Sequence, residues 1–247
     1  MIDTVKNQIA SQSQYPPPGT SWAEYFEQLS FSSKDERLQQ FYGAGVMSDD
    51  AQIANTAMVA MDFETTGLNS DTDEIVSIGI VPFSLRRIYC REAGHWVVKP
   101  RTALAQDSIV IHGITHSDIR SAPDLDEILE EVLTIMAGRL VVVHYYPIER
   151  EFLAKSLMSR IQESIAFPVI DTMEIENRIR NKQKTVMGRI LNRGLPSLRL
   201  GDCRKRYQLP HYQAHHALTD AIATAELLQA QISHYFSPST PVSELWV

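Results

Sequence analysis

Apolar residues gather into short, nearly unbroken runs from residue 57 onward. The run AMVAMDFE (57–64) is apolar on both faces, which is typical of a central strand covered on two sides. IVSIGIVPF (75–83) and RRIYCREAGHWVVKP (86–100) follow at hairpin distance and predict antiparallel neighbours. LVVVHYY (140–146) and FPVID (167–171) predict two further short strands. The pattern therefore predicts five strands.

Segments with apolar residues at helical spacing separate and follow the later strands. PDLDEILEEVLTIMAG (123–138) has one apolar stripe and ends at a glycine, and PIEREFLAKSLMSRI (147–161) begins with a proline that suits a first helical turn. Asp171 is expected to cap another helix. LPSLRLGDCRKRYQL (195–209) and HALTDAIATAELLQAQISHYF (216–236) predict the last two helices. Three strands followed by alternating helices and strands predict an α/β domain with a mixed sheet.

The first 55 residues differ from the rest of the chain. SWAEYFEQL (21–29) and SSKDERLQQFY (32–42) predict two short helices, the first with aromatic and leucine side chains at helical spacing. We expect this face to dock on a core or on a partner chain, without chemistry of its own. The chain is accordingly divided into a helical N-terminal extension (1–55), a main domain (56–238) and a C-terminal tail (239–247).

Composition and charge narrow the classes of function. The chain has 247 residues, 44% hydrophobic and 21% charged, which suits one sizeable globular domain with an appendage. Its formal net charge of −7 argues against coating long nucleic acid, but not against binding short or local nucleic acid. Cys90 and Cys203 show neither metal-site spacing nor a disulfide framework, which favours a reducing, cytoplasmic compartment. No apolar run approaches about 18 residues, so neither a membrane span nor export is predicted.

Acidic residues stand at three places where the pattern predicts buried structure. Asp62 and Glu64 lie at the end of the central strand and, being two residues apart, share one face of it. Glu149 follows the strand that ends at Tyr146, where the alternative interpretation is a first-turn glutamate that favours the helix dipole. Asp220 lies early in the last helix among small residues, which allow close approach to the sheet. If the two strands are neighbours, these four carboxylates converge at one edge.

Such a cluster needs a positive partner, because unpaired buried carboxylates repel one another and lose hydration. Hard oxygen ligands suit Mg²⁺ or Mn²⁺, which complete their coordination shell with water and substrate phosphate. Two such ions about 4 Å apart stabilise both the attacking and the leaving oxygen of a phosphodiester displacement. The pattern therefore predicts metal-dependent phosphodiester chemistry.

Two motifs resemble those of the DnaQ-like 3′–5′ exonucleases of the DEDDh type. DFETTGL (62–68) matches the first motif, D-x-E-T-T-G-L, and HHALTDA (215–221) matches the third, H-x-A-L-x-D-A. The second motif, HYYPIEREFL (144–153), departs from the family pattern. Tyr145 stands where the family has asparagine, and Glu149 stands where it has aspartate. The longer glutamate remains an oxygen donor, so the departure bears on the catalytic rate more than on the class of reaction.

The resemblance covers about residues 57–234, including IHGIT (111–115), and implies an RNase H-like fold with a five-stranded mixed sheet. It also implies a role for each matched residue. The residues that hold two divalent ions are Asp62, Glu64, Glu149 and Asp220. The general base is His215, since imidazole titrates near pH 6.5. The residues that bind the 3′-terminal nucleotide are Phe63, Thr65, Thr66, Leu68, His112 and Ile114, and the products are nucleoside 5′-monophosphates.

Two assignments require a choice between neighbours. Glu149 is preferred to Glu151 because of its spacing from the Phe-Leu pair of the second motif. His216, four residues before Asp220, shares its helical face, whereas His215 can face the site only from a non-helical lead-in. The residues before it are typical of a loop, and the family motif has its histidine at this position. We assign the base to His215 and expect His216 to pack or hydrogen-bond at the helix start.

A basic stretch precedes the third motif. It contains one acid, Asp202, and ten basic residues: Arg178, Arg180, Lys182, Lys184, Arg189, Arg193, Arg199, Arg204, Lys205 and Arg206. The functional interpretation is a phosphate track that leads a strand to the site. The alternative is a solvated, mobile loop.

The favoured function is a metal-dependent 3′–5′ exonuclease on single-stranded DNA, with oligomers of a few nucleotides preferred. One alternative is an oligoribonuclease or an RNA 3′-end trimming enzyme. An alternative of another class is a nucleic-acid-binding or polymerase-accessory, proofreading-like module with weak catalysis because of Glu149. No membrane partner is expected, and a homodimer and association with a polymerase are left open.

Overall fold

The computed structural model describes residues 13–101, 114–183 and 197–247 and shows a mixed sheet with helices on both faces. The strands are β1 (Met58–Thr65), β2 (Ile75–Ser84), β3 (Arg87–Ile88), β4 (Gly94–Val97), β5 (Leu140–Val143) and β6 (Val169–Asp171). Their order is β3-β2-β1-β5-β6, and β4 also pairs with β2. β1 is antiparallel to β2 and parallel to β5, and β5 is parallel to β6. The predicted α/β class with a mixed sheet is confirmed.

The described helices mostly begin near predicted starts, apart from the short helix His116–Ser121, which the sequence pattern did not predict. They are α1 (Trp22–Ser32), α2 (Glu36–Gly43), α3 (His116–Ser121), α4 (Leu125–Met136), α5 (Pro147–Ile161), α6 (Thr172–Gln183), α7 (Leu200–Arg206) and α8 (Ala217–Tyr235). Ser21 and Asp124 form capping boxes at the starts of α1 and α4, and Pro147 opens α5.

The predicted third strand is wrong in one respect. The segment 86–100 forms two strands, β3 and β4, separated by a 3-10 turn at Cys90–Glu92. The Tyr89 N–H donates to the Pro82 carbonyl at 2.9 Å, after which the chain turns and pairs with residues 77–80 as β4. Because β2 is 10 residues long, it accommodates both strands, and the sheet has 6 strands where five were predicted.

Two hydrophobic cores lie on opposite faces of the sheet, and β1 contributes to both by alternation. Val59, Met61 and Phe63 face the core formed with α1, α2, α4 and α5. Met58 and Ala60 face the core formed with α6 and α8. Since β1 and β5 are parallel, the loops that follow them leave the same edge of the sheet.

The N-terminal extension and the tail pack against these cores. Phe26, Phe41 and Tyr42 form an aromatic cluster in the first core, with ring centroids 5.1–5.5 Å apart. Val242 and Leu245 are fully buried in the second core. The described part of the extension therefore docks on the core, while the division at residues 55 and 238 stays a prediction. Within the described ranges, no helix is long and apolar enough to cross a membrane.

Candidate active site

Three carboxylates meet at the edge of the sheet where β1 ends. One side-chain oxygen of each of Asp62, Glu64 and Asp220 lies within 4.8 Å of the other two. Asp62 and Glu64 stand opposite Gly79 and Ser77 of β2, and Asp220 lies in the first turn of α8. Oxygens that share an octahedral Mg²⁺ are separated by about 3–4 Å. Small side-chain adjustments would therefore suffice to place the three oxygens around one ion.

Close packing of α8 on β2 brings Asp220 to the pair on β1. A Cβ at Gly79 would overlap the backbone of Ala217 and Leu218, the first two residues of α8. Because Gly79 is the cross-strand partner of Asp62, its missing side chain opens space beside that carboxylate. The small residues of α8 predicted a close approach. The glycine that receives the helix depends on strand register, and the sequence pattern did not indicate it.

Glu149 lies in the first turn of α5 and is 2% exposed. Its Oε2 has no hydrogen-bond partner in the part of the chain that the structure describes. Burial raises the pKa of Glu149 well above its usual range, and the charges of Asp171 and Glu64 raise it further. Glu151 is exposed and accepts a hydrogen bond from the Ser70 hydroxyl at 3.1 Å. Of the two glutamates, Glu149 is the one near the cluster.

Without a cation, the cluster holds unfavourable charge. Burial raises the pKa of Asp62 well above its usual range, and the negative charges of Glu149, Asp220 and Glu64 add to the shift. Burial also raises the pKa of Asp220, against the effect of the His215 N–H, which donates to its Oδ2 at 2.8 Å. A divalent cation would neutralise this charge. The all-oxygen donors and the unpaired Oε2 of Glu149 fit a hard ion such as Mg²⁺ or Mn²⁺.

His215 lies in the loop before α8. Its φ of +70° falls in the left-handed region, where histidine occurs more often than most residues. The predicted non-helical lead-in is confirmed, because α8 begins two residues later. The main-chain bond to Asp220 holds His215 beside the carboxylate cluster, and its residue surface is exposed.

His216 has a structural role at the start of α8, as predicted. Its Nδ1 accepts the Thr219 N–H at 3.4 Å, and its ring stacks on His95 with 4.6 Å between centroids. His95 Nε2 lies 2.9 Å from the Ser77 hydroxyl. Burial lowers the pKa of His95, and the neighbouring His216 lowers it further, so the neutral ring is favoured. His95, on β4, is a support for α8 that the sequence pattern did not indicate.

The predicted substrate-binding residues have different surroundings. The Phe63 side chain is buried in the core, on the face of β1 opposite the acidic pair. Leu68 is 86% exposed and Ile114 is half-buried. His112 lies outside the described residues. Contact of these residues with substrate stays a prediction.

The two threonines of the first motif fix the loop that follows β1. The Thr65 hydroxyl donates to the Gly67 carbonyl at 2.6 Å, and the Thr66 hydroxyl donates to the Asp73 carboxylate at 3.1 Å. A break in the β1–β2 register falls between Glu64 and Thr65. Such irregularities are common beside active sites, where they redirect side chains.

Asp171 organises the turn after β5. Its carboxylate accepts the N–H groups of Tyr145 and Tyr146, both at 3.0 Å, and caps α6 as predicted. His144, beside this turn, is hydrogen-bonded to the Thr172 hydroxyl at 2.8 Å. The turn therefore rests on a buried carboxylate outside the metal-binding set.

Part of the basic stretch serves internal contacts. Arg204 is buried against Glu226, and Arg206 pairs with Glu176 at 2.8 Å. Arg178 donates to two carbonyls of the C-terminal tail. The phosphate-track prediction is wrong for the buried Arg204, and for the partly exposed Arg178 and Arg206 it stays a prediction. Other members of the stretch lie outside the described residues: Lys184, Arg189 and Arg193.

Comparisons with known proteins agree with this geometry. Residues 59–228 match the RNase T family model, described as an exonuclease, which covers more than half of the chain. DNA polymerase III PolC-type of Thermotoga maritima is 27% identical over 181 residues, which is 73% of this chain but 12% of that protein. DNA polymerase III subunit epsilon of Treponema pallidum is 26% identical over 181 residues, 73% of this chain and 79% of that subunit. The chain thus spans a small part of its PolC-type relatives.

Solved structures share the fold. Cell-death related nuclease 4 superimposes with a TM-score of 0.62 at 21% identity, covering 75% of this chain and 67% of that one. The nuclease domain of 3′hExo, a DEDDh family member bound to rAMP, superimposes with a TM-score of 0.61 at 15% identity. The match covers 75% of this chain and 96% of that one. Exonuclease X in complex with 5′ overhanging duplex DNA superimposes with a TM-score of 0.54 at 21% identity. The match covers 72% of this chain and 92% of that one. With the family match over residues 59–228, the chain belongs to the RNase T family of exonucleases, the DnaQ-like group of the RNase H-like superfamily.

Proposed function

We propose that the chain is a divalent-metal-dependent 3′–5′ exonuclease that hydrolyses single-stranded, short DNA to nucleoside 5′-monophosphates. The observation that carries the proposal is the cluster of Asp62, Glu64 and Asp220, with the buried and unpartnered Oε2 of Glu149 beside it. Carboxylates kept this close are unfavourable alone and become favourable around cations.

The chemistry divides between bound ions and side chains. Two divalent ions, when bound, supply positive charge to the attacking and leaving oxygens of the phosphodiester. Asp62, Glu64, Asp220 and Glu149 hold them. His215 takes a proton from the water that attacks phosphorus, and the bond between phosphorus and the 3′-oxygen of the preceding nucleotide breaks. The leaving 3′-oxygen takes a proton from solvent, so the shortened strand ends in a new 3′-hydroxyl group.

Support for DNA comes from the relatives, which are DNA polymerase III chains. The net charge of −7 supports short substrates, because a long strand would meet repulsion beyond the site. Two arginines of the basic stretch add to this argument, because each forms an ion pair within the protein. Arg204 pairs with Glu226, and Arg206 pairs with Glu176.

Two alternatives have specific support. RNA as the substrate is favoured by one of the structurally similar proteins, the nuclease domain of 3′hExo, whose structure was solved with bound rAMP. A polymerase-associated module with weak catalysis is favoured by Glu149 at the position of the family's aspartate. Release of mononucleotides separates an enzyme from a module, and matched DNA and RNA oligomers separate the two substrates.

The decisive experiment digests end-labelled DNA and RNA oligomers of several lengths with Mg²⁺ or with Mn²⁺. We expect stepwise loss of nucleotides from the 3′ end, with DNA degraded faster than RNA and short strands faster than long ones. Asp62→Ala serves as the inactive control. Equal rates on short and long strands would contradict the length preference alone, and absence of mononucleotides in both metals would contradict the exonuclease.

A further inference from the structure

Tyr145 is unusual in both its backbone and its side chain. Its φ is +91°, in the left-handed region that bulky L-residues rarely adopt. Its surface is 47% exposed, although it is a large aromatic residue. Among the described residues, its ring has no aromatic partner and its hydroxyl has no hydrogen-bond partner.

The surroundings hold this conformation in place. The carboxylate of Asp171, 3% exposed, accepts the N–H groups of Tyr145 and Tyr146 at 3.0 Å each. The Tyr145 carbonyl accepts the Ile148 N–H at 3.2 Å, which leads the chain into α5. Strained backbone conformations persist only where neighbouring contacts over-determine them, and they concentrate at functional sites. Asparagine or glycine would satisfy the same bonds with less strain.

Tyr145 lies at the edge of the sheet that bears the acidic cluster. Tyr145 follows β5, the parallel neighbour of β1, and precedes Glu149 by four residues. Leu68, 86% exposed, follows β1 at the same edge. An exposed aromatic residue and an exposed apolar residue thus follow strands that end at the edge bearing carboxylates suited to metal ions, which in turn attract phosphate. Single-stranded nucleic acid offers both matching features, since its phosphates face cations and its bases stack on aromatic rings.

We propose that Tyr145 is a specificity-determining residue that stacks on an unpaired base of the strand whose 3′ end is hydrolysed. The inference rests on the proposed function and adds a contact that selects the substrate. Every base has an aromatic face, so this contact tolerates sequence. A base inside a duplex is already stacked and paired, so the contact favours single strands.

Kinetics on DNA oligomers test the stack directly. We expect Tyr145→Ala to raise KM about tenfold to a hundredfold with little change in kcat, as typical for a lost base–aromatic stack. Tyr145→Phe and Tyr145→Trp should retain KM near that of the unmodified protein. Tyr235 is 48% exposed at the end of α8, and Tyr235→Ala is the matched control with unchanged KM.

Oligomers with one abasic position identify the stacked base. At that position the Tyr145→Ala and abasic losses should not add, because both remove the same contact. An unchanged KM for Tyr145→Ala, or additive losses at every position of the oligomer, would overturn the inference.

Thermal unfolding tests whether Tyr145 has only a structural role. Tyr145→Asn should raise Tm, because asparagine tolerates the left-handed backbone, while its KM rises like that of Tyr145→Ala. A fall in Tm with KM unchanged would show that the ring serves the fold instead. If the unmodified protein releases no mononucleotide, the proposed function fails, and binding of a labelled oligomer in EDTA still tests the stack through the same variants.

Discussion

Three other carboxylates lie close enough to Asp62 to act on its charge. Burial and the charges of Glu149, Asp220 and Glu64 all raise its pKa. Asp62→Asn keeps the shape and removes one charge, so without divalent metal we expect Tm to rise by a few degrees, since about 1 kcal/mol corresponds to roughly 2–4 °C at this size. Turnover should be lost, and the rise in Tm on adding Mg²⁺ or Mn²⁺ should shrink. Thermal unfolding and oligomer digestion measure both effects.

A surface aspartate provides the control for that variant. Asp71 is exposed, and its ion pair with Lys155 lies at the surface, where such pairs contribute about 0–1 kcal/mol. Asp71→Asn should therefore change neither turnover nor the response to metal. Full activity of Asp62→Asn, or a lower Tm of its metal-free form, would contradict the proposed metal site.

The two adjacent histidines differ in their contacts, and this difference can be tested. His215 is tied to Asp220 through its backbone, whereas His216 caps α8 and stacks on His95. We expect His215→Ala to lose about a hundredfold or more in kcat, the typical contribution of a general base. Rates from pH 5.5 to 9 measure this effect.

His216→Ala removes a cap and a stacked ring, so its expected effect is a lower Tm with most of the turnover retained. If His216→Ala loses most of its kcat while His215→Ala keeps nearly all of it, the assignment of the general base would be reversed.

Single residues also show how far sequence reasoning reaches. The shared face of Asp62 and Glu64 follows from strand alternation, and the structure has them on one face. The left-handed backbone of Tyr145 did not follow, because the buried carboxylate that sustains it comes from β6, distant in sequence. Local patterns predict which residues share an element, whereas contacts between elements decide their conformation.

Among the elements, the contact between α8 and β2 decides whether the cluster forms. Gly79→Ala would drive a Cβ into the backbone at Ala217 and Leu218. Since overpacking costs about 1–3 kcal/mol, we expect a lower Tm and displacement of Asp220 from Asp62, with weaker metal binding. The rise in Tm on titration with Mg²⁺ or Mn²⁺ measures the binding.

The matched control for that variant is Gly43→Ala, at the end of α2, where a Cβ meets nothing within 4 Å. It should leave the metal response unchanged. If Gly79→Ala binds metal as tightly as the unmodified protein, close packing of α8 on β2 is not what assembles the site.

The elements themselves were mostly readable from hydrophobic spacing, because capping residues and apolar stripes act locally. Ser21, Asp124 and Pro147 begin helices where the sequence predicts them. Two exceptions are α3, which the sequence pattern did not predict, and the segment 86–100, which reads as one strand but breaks at Cys90–Glu92. That break depends on the length of β2, which offers separate places for β3 and β4.

Across the whole molecule, acidic groups make the stability of the folded protein depend on pH in two opposite directions. The hydrogen bond from Arg37 lowers the pKa of Asp35, so that group contributes stability above its unfolded pKa and loses it as pH falls. Burial raises the pKa of Asp62, Glu149 and Asp220. In the metal-free protein these three bind more protons folded than unfolded, so their effect on stability worsens as pH rises above the usual carboxyl pKa of about 4.

The direction of this pH dependence predicts how the unfolding temperatures of the metal-free unmodified protein and of metal-free Asp62→Asn differ. As pH falls toward the usual carboxyl range, Asp62, Glu149 and Asp220 take up protons more readily in the folded protein than in the unfolded one, so the unfolding temperatures of the two proteins should converge. As pH rises to 7, the unmodified protein should lose stability relative to the variant, because protons must leave a crowded site. Added Mg²⁺ or Mn²⁺ replaces those protons, so it should restore more stability to the unmodified protein than to Asp62→Asn, with apparent affinity that grows with pH. Thermal unfolding from pH 4 to 7, in EDTA and in each metal, measures both trends. A difference between the two proteins that stays constant across this range would show that the cluster does not hold protons in place of metal.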